Sequence, residues 1–110
     1  MAIIVKTDNP SELLNAIKKA IDDKTVETWS YDAEGDFSHT PEQWKFKAWF
    51  QPKVYPAELR FGILKHKDAT LKRLVYGVYH GRFIEMLLMQ FDELFENAKA
   101  TSQKTEPDNF

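Results

Sequence analysis

The stretch Leu74–Phe95, LVYGVYHGRFIEMLLMQFDELF, constrains this chain more than any other. Its first residues alternate. Leu74, Tyr76 and Val78 fall against Val75, Gly77 and Tyr79, a period of two in residues that favour strands. His80 and Gly81 break the rhythm. From Arg82 the period lengthens, so that Phe83, Leu87, Phe91, Leu94 and Phe95 share one helical face and Ile84 and Leu88 widen it. The pattern predicts a strand that runs into a helix. A helix this apolar must lie on a surface, and the strands before it are the available one.

The rest of the chain supplies those strands. Ala2–Lys6 is a β-branched run that reads as a first strand at a sheet edge. Asn9-Pro10 then opens a helix, with Pro10 at its first position and Glu12 where a capping-box acid stands. Leu13, Leu14, Ile17, Ala20 and Ile21 give it an apolar stripe. Val26–Asp32 alternates as a strand, Ala33–Asp36 is a turn around Gly35, and Phe37–His39 is a short return strand. Thr40-Pro41-Glu42-Gln43 reads as a turn or a single helical turn. Trp44–Gln51, WKFKAWFQ, alternates Trp44, Phe46, Ala48 and Phe50 against Lys45, Lys47, Trp49 and Gln51. Pro52 and Pro56 bracket a loop, since neither can donate to a ladder. Leu59–Lys65 is a further strand, with Leu59, Phe61 and Ile63 facing inward.

The order β-α-β-β-β-β-β-α, with short links between strands, predicts an α+β fold. Two helices would pack on one face of an antiparallel sheet of about five strands, a two-layer sandwich. Residues 1–98 form one domain, and 99–110 read as a disordered polar tail. At 110 residues the chain is long enough for a core of its own. It has no Cys, which removes disulfides, thiolate metal sites and a cysteine nucleophile. With no long apolar run and no leader-like start, the expectation is a soluble, cytoplasmic protein without a membrane segment.

Charge is unevenly spread. Residues 1–43 carry 4 Lys/Arg and 9 Asp/Glu, residues 44–82 carry 9 and 2, and residues 83–110 carry 2 and 6. The basic middle coincides with the predicted strands. Lys45, Lys47 and Trp49 would share a sheet face with Arg60 on the neighbouring strand. Cations around an aromatic suit two kinds of partner. One is a protein surface, or a second copy of this chain, with Trp49 as the contact centre. The other is single-stranded nucleic acid, whose phosphates and bases these groups can meet. Lysines that merely solvate an open sheet face would look the same.

Tyr79-His80-Gly81-Arg82 with Glu85 is the second constellation. At a strand-to-helix junction, His80 could act as a base oriented by Glu85, and Arg82 could hold an anion at the helix start. No nucleophile accompanies them. A local structural role accounts for the same residues. Asp32, Glu34 and Asp36 do not fit a calcium loop, because the glycine comes one place early and Gln43 stands where the bidentate acid belongs. The three histidines lack ligand spacing. No catalytic residue, metal site or cofactor is therefore assigned. The sequence favours a non-enzymatic protein-binding or accessory module that uses Trp49, Lys45, Lys47 and Arg60. Single-stranded nucleic-acid binding is the alternative. A small ligand-binding protein or enzyme with a pocket near His80 and Arg82 is the third reading.

Overall fold

The computed structural model describes residues 1–110. In chain order it contains β1 (Ile3–Lys6), α1 (Pro10–Asp22), β2 (Trp29–Tyr31), β3 (Phe37–His39), β4 (Trp49–Tyr55), β5 (Glu58–Leu64), α2 (Arg73–Phe91), one 3-10 turn (Asp92–Leu94) and β6 (Asn97–Ala100). The fold is an α+β sandwich, as the patterning predicts, with six strands rather than about five. All neighbours pair antiparallel, in the order β2-β3-β4-β5-β1-β6.

Alternation sorts the sheet into two faces. Ile3, Val5, Leu59, Phe61, Ile63, Phe50, Phe37 and Trp29 are all buried in one cluster with Leu13 and Ile17 of α1 and Phe83 and Leu87 of α2. Aromatic rings fill its centre. Phe83 lies 4.6 Å from Phe61, 4.9 Å from Trp29 and 5.2 Å from Phe50, centroid to centroid. Helix α1 ends in a Schellman motif: Thr25 N–H donates to the Ala20 carbonyl and Lys24 N–H to that of Ile21. Lys24 holds the left-handed position there, at φ 62°.

Five expectations are corrected. The strand read over Leu74–Tyr79 is the first half of α2. Tyr79, His80, Phe83, Met86, Leu87 and Phe91 form its buried face, at helical spacing. Leu74 lies on the opposite side, 68% exposed. Apolar residues on both sides of a helix imitate alternation, and packing of the buried side overrides the low helix propensity of Val, Tyr and Gly. Strand β1 is interior, between β5 and β6, rather than at an edge.

Strand β4 begins five residues later than the WKFKAWFQ alternation suggests. Residues 41–47 turn instead, and Phe46 sits at φ 59°. Pro52 lies within the strand. It fits because β3 meets β4 only at Phe37↔Phe50, so past Phe50 that side of β4 carries no ladder. The β4–β5 hairpin closes through Pro56-Ala57, with Tyr55 paired to Glu58 and Ala57 at φ 60°.

Finally, the segment expected to be an unstructured tail contains β6 and a return across the sheet. Asn109 N–H donates to the Ile63 carbonyl, and the Asp108 carboxylate accepts from the N–H groups of Ile63 (2.7 Å) and Thr105 (2.8 Å). Gly62 makes this crossing possible. A Cβ there would come within 2.4 Å of the Pro107 carbonyl carbon.

Candidate binding surface

The outer sheet face is divided by this return into two parts of different character. At one end, Arg60 and Lys53 are already engaged. Arg60 Nε donates to Glu58 at 2.8 Å, its Nη1 reaches the Glu106 carbonyl at 3.1 Å, and its guanidinium lies 4.8 Å over the Tyr55 ring. Lys53 pairs with Glu106 at 3.1 Å. Hydrogen bonding to these carboxylates raises both cations above their ordinary pKa values.

The other end is aromatic. Trp49 projects from the start of β4, half-buried, with His66 edge-on at 4.9 Å. Phe46 lies beside it, 6.4 Å away with the ring planes 20° apart. Phe46 is 55% exposed. Lys45 Nζ sits 5.2 Å over the Phe46 ring, and Lys47, the next residue in the turn, is exposed. Neither lysine has a carboxylate within ion-pair distance.

The turn that carries Phe46 is anchored from below. Tyr79 Oη of α2 donates to the Trp44 carbonyl at 2.5 Å, and Ser38 Oγ of β3 donates to the Ala48 carbonyl at 3.1 Å. Trp44 and Lys45 N–H groups both donate to the Pro41 carbonyl. A non-glycine residue at φ 59° costs the fold about 1–2 kcal/mol and here it projects a large apolar ring into water. The local geometry therefore opposes the ordinary tendency of Phe to be buried.

Of the residues singled out from sequence, Trp49, Lys45 and Lys47 converge on this end, although the lysines stand on a turn rather than a strand. Arg60 does not join them. It lies opposite Lys53, four β4 positions beyond Trp49, which pairs with Leu64. His80 lies on the buried side of α2, 6% exposed, with both ring nitrogens on carbonyl oxygens, those of Tyr76 and Met1. Arg82 is on the opposite, exposed side, paired with Glu85 at 3.1 Å. Both residues are mid-helix, so neither stands at a helix start able to hold an anion. Phe46 escaped the sequence reading because strict alternation placed it in the core with Trp44 and Ala48. No signal in the sequence marks a left-handed phenylalanine.

No cluster of three or more His, Cys, Asp or Glu side chains could hold a metal ion. No helix is long and apolar enough to cross a membrane. Comparison with protein-family models, with curated proteins and with solved structures finds no match for this chain.

Proposed function

We propose that this chain is a small protein-binding module whose contact centre is the Phe46–Trp49 pair flanked by Lys45 and Lys47. The observation that carries the reading is Phe46 itself, a 55% exposed aromatic on an anchored turn. Aromatic residues concentrate binding energy at protein interfaces, and a pre-set turn loses little freedom on docking. The two unpaired lysines favour an acidic rim around the partner's apolar pocket.

The test is affinity capture by the tagged chain from a lysate of its source, with and without nuclease, using the natural sequence and Phe46→Ala side by side. A protein retained after nuclease by the natural chain and weakened about thirtyfold or more by the substitution supports the reading. Equal retention by both chains overturns it.

Single-stranded nucleic acid is the second reading, favoured by the near-parallel Phe46 and Trp49 rings beside two free lysines. It predicts quenching of Trp49 fluorescence by an oligothymidine and steep weakening with salt.

A further inference from the structure

Between α2 and the two turns opposite it lies a groove of about 700 Å³, within the size range of small-ligand sites. Trp44, Met86 and Met89 supply much of its apolar wall. Met89 is 72% exposed there, with no part in the core.

His39, at the end of β3, also lines this groove and is only 5% exposed. Its Nδ1 lies 2.7 Å from the Thr28 carbonyl oxygen. A carbonyl can only accept, so Nδ1 carries the proton and Nε2 keeps its lone pair. Nε2 has no protein partner. The fully enclosed polar side-chain atoms lacking one are Trp29 Nε1 and Tyr55 Oη, so Nε2 keeps some contact with solvent, and the groove is the cavity that His39 lines. The ring cannot easily swing away. It stacks on Trp29 at 4.5 Å and meets Tyr79 edge-on at 6.0 Å.

Burial pushes the His39 pKa below its ordinary value, which favours the neutral ring and hence an acceptor at Nε2. The charges lining the groove balance, Lys24 and Arg82 against Glu27 and Glu85, and Arg82 and Glu85 pair with each other. A neutral acceptor selects a donor, and a balanced rim selects no sign of charge. Thioethers beside an indole select a flat ring.

We propose that this groove binds a small uncharged aromatic molecule carrying a hydroxyl group, with its ring against Trp44, Met86 and Met89 and its hydroxyl donating to His39 Nε2. The groove shares no lining residue with the Phe46–Trp49 surface, and although Trp44 and Phe46 stand on one turn, His39 and Met89 lie off it, so either reading can fail alone.

The test is an NMR titration of the full chain with para-cresol and with its methyl ether, which has the same ring but no donor. Para-cresol should saturably shift the Met86 and Met89 methyl signals and the His39 ring signals. It should bind about tenfold tighter than the ether, the effect of one hydrogen bond. His39→Phe, which keeps a ring against Trp29, should erase that preference. Met89→Glu, at an exposed position, should weaken para-cresol without touching the core. Should His39→Phe fail to fold, the phenol–ether comparison and Met89→Glu decide the matter. Absence of saturable shifts, equal affinity for the two compounds, or shifts confined to residues outside the groove would each overturn the proposal.

Discussion

Phe50 and Trp49 are adjacent in the chain and end in opposite surroundings. Phe50 enters a ring cluster with Trp29, Phe61 and Phe83 that excludes water. Trp49 turns outward to His66 and the exposed Phe46. Both clusters are aromatic and both sit on the same sheet, so residue type alone does not distinguish them. The difference lies in what covers each. Two helices cover the first, whereas the second is left open because the C-terminal return crosses β5 at Gly62 instead. The inner cluster should therefore be read out in stability and the outer one in binding.

The largest expected effect is on the inner side. Phe83→Ala removes a ring that touches Trp29, Phe37, Phe50 and Phe61. It should destabilise the fold by about 3–5 kcal/mol in urea denaturation. A loss below about 1 kcal/mol would mean that the two clusters do not differ in this way.

Gly62→Ala is expected to come second. The added methyl displaces Pro107, so Ile63 and Asn109 lose their bonds across the gap. Stability should fall by about 1–3 kcal/mol. Amide hydrogen exchange should quicken at Asn109 while the inner strands stay protected. Uniformly faster exchange would show instead that the return is inseparable from the core.

A smaller effect belongs to the histidine of the inner region. His39 packs on Trp29, and burial lowers its pKa from the ordinary 6.5. As pH falls below that value, the unfolded chain takes up the proton before the native one. Stability should therefore decline until the lowered native pKa is reached and level off there. His39→Phe should flatten this limb of the pH–stability curve. Asp36, whose carboxyl is raised by burial and by Asp32 and Glu34, acts in the opposite direction at lower pH.

The smallest change is on the outer side and has the opposite sign. Phe46→Gly relieves the left-handed backbone at φ 59° and should raise stability by up to about 1 kcal/mol. The same substitution should abolish partner capture. A variant that is both more stable and still fully competent to bind would remove Phe46 from the contact.

Much of this architecture was legible from residue order. The stripe Leu13, Ile17 and the alternation Leu59, Phe61, Ile63 each had one plausible partner face. Elements went astray where two patterns coexist. Leu74–Tyr79 carries apolar residues on both sides of a helix, which mimics a strand. Residues 44–48 alternate cleanly but are diverted by a turn whose anchors, Tyr79 and Ser38, lie elsewhere in the chain. Of the candidate site, Trp49 was readable because Phe50 claims the inner face. Phe46 and His39 were not, because their roles depend on a backbone twist and on a ring-nitrogen partner that only tertiary structure supplies.

The position of β1 has a further consequence. Its two neighbours, β5 and β6, both come from much later in the chain, with Ile3 opposite Phe61 on one side and Ala100 on the other. No part of its ladder is local. The entropy of closing those long loops must be met before either pairing is rewarded. Strand β1 therefore has no partner until β5 has been made, and its second ladder waits for Asn97–Ala100. The Met1 ammonium lies 3.1 Å from the Asp108 carboxylate, so a short linker could join residues 1 and 110. A new opening at the Asp32–Gly35 turn would then keep every ladder while shifting which pairings are close in sequence, and the folding rate of such a permutant would show how far connectivity sets it.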